Sequence, residues 1–211
     1  MKRFALLCVF LSPLAFAAEP IDWLYAEIFG GYSYLPNNLN TTLNQLSWTE
    51  ARYISGYNVG GRYGYKSNPM RYELEVGYIS ASANRFNVNN ILQTGISGQT
   101  NATDALINVY YDGHEFVLTI VPFIGGGIGY AYVSSHLYGS GPSMETEFRG
   151  TDSVLAYQGT VGLAYNFVDN YALSIAYRYF GTTKADQLGE AFQAHLASAG
   201  VTYRFDGGYY K

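Results

Sequence analysis

Three histidines, a few serines and two close pairs of acids are the residues of this chain whose chemistry could be catalytic. A nucleophilic site needs a hydroxyl or thiol within hydrogen-bond reach of a base, and a third group that orients the base. His195 and Ser198 stand three positions apart, which in an extended strand places them on opposite faces. His114 falls in a turn, and His136 follows Ser134 and Ser135 with no acid placed to orient it. Glu73/Glu75 and Glu145/Glu147 are the spacing of acid–base dyads or metal ligands; the first pair reads as facing basic groups and the second as a solvated loop. The glycines from Gly125 to Gly129 have the composition of a phosphate-cradling loop. Such a loop must lead into a helix N-terminus, whereas Tyr130-Ala131-Tyr132-Val133 continues as strand. No catalytic residue, metal or cofactor is expected, and the protein is read as not an enzyme.

The elements that would have to position these residues are unusual. The chain opens Met1-Lys2-Arg3 and runs uncharged from Phe4 to Ala18, with Ala15 and Ala17 at signal-peptidase spacing. This reads as a secretory signal over residues 1–17, because about 15 apolar residues broken by Pro13 fall short of the ~20 that cross a bilayer as a helix. The single cysteine, Cys8, lies within it, so residues 18–211, read as one domain, hold no thiol or disulfide. A formal charge of −4, spread along the chain, excludes a concentrated basic face and with it nucleic acid. The chain carries 22 Tyr and 24 Gly but only 13% charged residues, the balance of a barrel with tyrosines at two bilayer interfaces.

Period-two alternation supports the same class. Tyr171, Leu173, Ile175, Tyr177 and Tyr179 alternate with Ala172, Ser174, Ala176 and Arg178; Tyr72, Leu74, Val76 and Tyr78 alternate with Arg71, Glu73, Glu75 and Gly77. The alternation predicts eight strands, near 23–35, 53–66, 71–82, 103–111, 116–134, 153–166, 171–182 and 195–205. Most are long enough to cross a membrane at a tilt, about 9–11 residues. Their connections alternate between long polar segments (36–52, 83–102, 135–152, 183–194) and tight turns such as Ser67-Asn68-Pro69-Met70. In hydrocarbon every backbone group must be bonded internally, so such a sheet closes first strand on last. The expected fold is all-β, an eight-stranded antiparallel up-and-down transmembrane β-barrel, with tight turns and both termini in the periplasm. The inward face is expected to hold Glu27, Arg62, Glu73, Glu75, Asp104, Asn108, Gln158, Arg178 and Arg204. Arg178 is expected to bond one or more of Glu27, Glu73 and Glu75 and close the passage, since an eight-stranded interior is only just filled by side chains.

Asn108-Val109-Tyr110-Tyr111-Asp112, Val121-Pro122-Phe123 with the glycine run, Tyr177-Arg178-Tyr179 and the last strand, Ser198 to Phe205, give the chain its resemblance to the OmpA-like and opacity-like family of small outer-membrane barrels. The resemblance implies an outer-membrane location, contact with membrane lipid and lipopolysaccharide, and delivery by the barrel assembly machinery, with Gly200, Tyr203 and Phe205 at the positions of its recognition signal. The leading functional expectation is a structural and surface-interaction protein, adhesin-like, contacting a host surface through four loops. The alternative is a narrow porin-like conduit for small solutes.

Overall fold

The computed structural model describes residues 23–36, 39–43, 47–88, 91–92, 94–115, 119–168, 170–184 and 191–205. The expected signal, residues 1–17, lies outside them. The strands are β1 (Trp23–Tyr34), β2 (Leu39–Leu43), β3 (Ser47–Ser67), β4 (Met70–Val88), β5 (Ile91–Leu92), β6 (Thr94–Asp112), β7 (Ile120–Ser140), β8 (Glu145–Val168), β9 (Tyr171–Lys184) and β10 (Ala191–Arg204). Eight of them, all but the short β2 and β5, form a closed antiparallel barrel. Closure runs between β1 and β10 in a ladder from Tyr25↔Arg204 to Tyr34↔His195. The turn ends are tied as well: Asp112 N donates to Pro69 O (2.8 Å) and Phe205 N to Leu24 O (2.9 Å).

Two expectations need correction. Most strands outrun their predicted limits, β8 reaching 24 residues and β7 reaching 21. Much of what reads as long loop is a continuation of the wall: the β7–β8 ladder extends without a break to Ser140↔Glu145. The first connection contributes β2, which pairs with β3 from Leu39↔Ala51 to Leu43↔Ser47, and the second contributes β5, paired with β4. These stretches are polar enough to look like loops, yet the ladder satisfies their backbone groups as well as water would.

The wall carries its apolar side outward over most of its height. Ile28 and Ile128 are each 72% exposed and Val76 is 63% exposed, while Glu75 on the facing side is 1% exposed. Such an exterior is stable only against hydrocarbon. Rings mark the lower border in a nearly continuous belt, Tyr165, Phe167, Tyr171, Tyr203, Phe205 and Tyr63, with successive centroids 5.2–6.5 Å apart. Exposed Tyr32, Tyr34, Tyr57, Tyr130, Tyr132, Tyr157 and Tyr177 mark the upper one. Phe116 and the side chain of Tyr53, where two of the expected strands begin, lie outside the described residues. Above the upper tyrosines the alternation changes sense: Ser82, Gln99, Ser153 and Gln193 are exposed, and Ile79, Ala102, Val154, Phe192, Ala194 and Leu196 are buried inside.

Candidate functional site

The barrel interior is built from strand positions of one parity, and it is layered. At its centre the Glu75 carboxylate on β4 gathers donors from four other strands. Its Oε2 accepts Arg62 Nε of β3 at 2.8 Å, Asn108 Nδ2 of β6 at 3.0 Å and Gln158 Nε2 of β8 at 3.1 Å; its Oε1 accepts Arg178 Nη1 of β9 at 2.5 Å. Each guanidinium then reaches one residue further. Arg62 Nη1 donates to Glu27 Oε1 (3.3 Å), which also accepts Ser174 Oγ (2.7 Å); Arg178 Nη2 donates to Asn58 Oδ1 (3.0 Å), which also accepts Ser198 Oγ (2.8 Å). Two like charges meet on one carboxylate, and Phe29 of β1 is in contact with both. Its ring takes the Arg62 guanidinium at 4.3 Å and the Arg178 guanidinium at 4.4 Å. Space for these groups comes from the neighbouring strands: a Cβ on Gly60 would collide with the Phe29 ring, and one on Gly200 with the Glu27 carboxylate.

Below this centre, Arg71 bonds Asp112 (Nε–Oδ1 2.7 Å) and Glu73 (Nη1–Oε1 3.3 Å), and its guanidinium lies 5.0 Å from the Tyr110 ring centroid and 4.6 Å from that of Phe123. Tyr25 donates its hydroxyl to Glu73, and Lys66 Nζ reaches Asp112 Oδ2 at 2.6 Å. At the turn-side mouth Trp23 takes a cation on each side, Lys66 Nζ at 5.3 Å and Arg204 at 5.1 Å, and Arg204 also donates to Asn166. Above the centre the interior turns apolar, with Leu106, Ile79, Phe180, Val133, Leu196 and Phe192 among a buried cluster.

Of the residues singled out from the sequence, Glu27, Arg62, Glu75, Asn108, Gln158 and Arg178 thus share one network. Glu73 belongs chiefly to the layer below. Asp104 is buried at the edge of the apolar layer, with its Oδ1 making no hydrogen bond. Arg204 is half-buried at the mouth, away from the network. What the sequence reading missed is the interior aromatics: Tyr25, Phe29, Tyr110, Phe123, Phe180 and Phe192 are all nearly inaccessible. Parity could have found them, because Tyr25 and Phe29 flank Glu27 at two-residue spacing and Tyr110 follows Asn108 in the same way.

The groups with catalytic potential are dispersed. Ser198 faces inward to Asn58, while His195 lies on the outer face with its Nδ1 2.6 Å from the Tyr177 hydroxyl. Ser135 bonds Thr100 inside the wall, and His114 is exposed beyond the β6 end. The side chains of Glu145 and Glu147 lie outside the described residues.

Residues 4–205 match the family described as outer membrane protein β-barrel domain. The chain belongs to that family. A curated relative, an outer membrane protein of Gluconacetobacter diazotrophicus, is 28% identical over 196 residues covering 83% of this chain; the chain spans about half the length of that relative (50%). Among solved structures, Neisserial surface protein A superposes with a TM-score of 0.55 at 15% identity, covering 86% of this chain and 97% of that one. The outer membrane protease OmpT of Escherichia coli gives 0.51 at 10% identity, covering 92% and 100%. At such identities the two structures speak for the fold alone. Family and fold together place this outer-membrane barrel in the bacterial outer membrane, its apolar band against lipid.

Proposed function

We propose that this outer-membrane barrel is a closed structural anchor whose strand extensions form an adhesin-like interaction surface outside the cell. The observation that carries the reading is that, among the described residues, side chains occupy the interior at the mouth, the centre and the top. Trp23 with Lys66 and Arg204 occupies the mouth, the Glu75 network the centre and the Phe180 cluster the top. An ion entering would have to part a desolvated ion network and then cross an apolar layer, each with a large energetic barrier. The interior residues named from the sequence act here as the plug. The extensions face outward, and the tight turns and both termini lie in the periplasm. Gly200, Tyr203 and Phe205 serve as the signal to the barrel assembly machinery; Tyr203 and Phe205 sit in the ring belt, where an assembly factor can read them from outside. The adhesin-like contact is with a host surface, and the bilayer contact is with lipid and lipopolysaccharide.

Planar-bilayer recording of the refolded protein tests the choice between plug and conduit. The expected trace is flat, with Arg178→Ala giving rare small openings as the Glu75 network loosens. A steady wild-type current that Arg178→Ala reduces would instead assign Arg178 to a conduction path and make the barrel a narrow porin. Labelling of intact cells should reach residues 38–42 and 140–147 but not Asn68. Labelling at Asn68 would reverse the orientation.

A further inference from the structure

The outer wall is not evenly convex. Where β8, β9, β10 and β1 meet, small outward residues leave a groove of about 730 Å3, floored by Gly30, Ala197 and Ala199 and walled by Leu163, Ile175 and Tyr177. The register fixes its shape. In one row Leu163, Ile175, Ala199 and Gly30 are successive cross-strand partners, and in the row above Tyr177 and Tyr32 flank Ala197. The depression therefore lies just inside the upper tyrosine border, within the band that faces hydrocarbon. Nothing polar can fill it there, so its occupant is an acyl chain.

The surroundings say which lipid. Directly above Ala197 stands His195, surrounded by Tyr34, Tyr177 and Tyr179 with ring centroids 5.4–6.1 Å away. The Tyr177 hydroxyl lies 2.6 Å from Nδ1; in the tautomer in which that hydroxyl donates, the ring proton is on Nε2 and can be given to a headgroup oxygen. Outward positions from 151 to 167 of β8, 171 to 183 of β9, 191 to 205 of β10 and 24 to 34 of β1 carry no carboxylate, so a phosphate is not repelled. Higher still, the wall offers hydroxyl and amide groups, Ser153, Thr183 and Gln193, all exposed. A glycerophospholipid headgroup would end near the tyrosines, whereas these side chains suit the hydroxyls of a sugar. We infer that the groove, together with His195, is a docking site for the lipid A portion of lipopolysaccharide, one acyl chain seated over Ala199 and a phosphate beside His195. The assignment rests on the proposal that the strand extensions face the cell exterior.

Detergent-solubilised full-chain protein would be titrated separately with diphosphoryl lipid A, phosphatidylglycerol and phosphatidylcholine, and bound lipid counted by native mass spectrometry. Lipid A is expected to bind at least about ten-fold tighter than either phospholipid. Gly30→Leu with Ala199→Leu should abolish that preference, because both side chains grow outward: a Cβ on Gly30 meets nothing nearer than the Asn58 backbone oxygen at 3.5 Å. His195→Ala should weaken lipid A binding about three-fold and leave phosphatidylcholine unaffected. Gel migration before and after boiling verifies folding of each variant, and Ala199→Phe alone replaces the double variant if that does not assemble. Unchanged lipid A affinity in the filled variant overturns the site, and equal binding of phosphatidylglycerol overturns the lipid assigned. A wild-type dimer that the filled variant converts to monomer, with lipid binding unaltered, would make the groove an interface between copies. The titration uses free micelles, so an error in the cellular orientation would appear in the labelling experiment and not here.

Discussion

Along β4 the inward positions change from Glu73 and Glu75 to Ile79 and Ala81, while the outward positions change from Leu74 and Val76 to Ser82. β10 does the same from its other end, Ser198 and Gly200 giving way inside to Leu196, Ala194 and Phe192, and Val201 giving way outside to Gln193. One continuous hydrogen-bonded wall thus has two dressings. Below the upper tyrosines it is a membrane barrel, polar within and apolar without; above them it is built like a water-soluble barrel with an apolar core. The contrast teaches that the solvent, and not the strand, sets the sense of the alternation. It also locates the bilayer border between Tyr132 and Ser134 on β7 and between Tyr157 and Ser153 on β8.

The sharpest way to break this contrast is to remove the acid at the centre of the lower section. Glu75→Ala leaves Arg178 without its carboxylate in a dry interior, while Arg62 keeps Glu27 and Glu73, and should destabilise the barrel by about 3–5 kcal/mol, read from urea unfolding in detergent. A loss under about 1 kcal/mol would mean that water fills the centre and that the lower section is not a packed interior. Phe180→Ala probes the upper core and should cost about 3 kcal/mol, as in a soluble protein. Limited proteolysis should then cut within the extensions while the tight turns stay protected. One pair of variants is the most discriminating, and its second member has the smallest effect. Ile128→Arg, on the lipid face, should cost about 2–4 kcal/mol, whereas Ser153→Arg, outward but above the border, should stay within about 0.5 kcal/mol. Equal costs at the two positions would mean that the border is misplaced.

Much of the wall was legible in the sequence, because below the border an apolar residue at every second position is hard to mistake. Strand parity also gathered Glu27, Glu75, Asn108, Gln158 and Arg178 before any coordinates. The strand ends were not legible, and the inversion is the reason. Val154 and Ala156 alternate with Ser153 just as soluble strands do, but next to a lipid-facing Leu155 and Tyr157 the combined pattern has no single period, and a polar stretch reads as loop. The interior rings were hidden by a related ambiguity. Tyr110 and Tyr111 are adjacent, and an aromatic-rich composition directs attention to the bilayer borders, yet one of the two points inward against Phe123, with ring centroids 5.8 Å apart and edge to face. Nor could the sequence show that Arg62 and Arg178 share Phe29, a contact that joins three strands.

The donors on Glu75 come from residues 62, 108, 158 and 178, a span of more than half the chain. The β3–β4 hairpin supplies only Arg62, so until β6, β8 and β9 are paired Glu75 lacks three of its four donors and Arg178 has no carboxylate. Each intermediate is thereby penalised until β3, β4, β6, β8 and β9 stand together and β1 brings Phe29 against both arginines. Folding gated in this way is cooperative across the whole sheet: insertion and closure become one event, and half-inserted forms stay scarce.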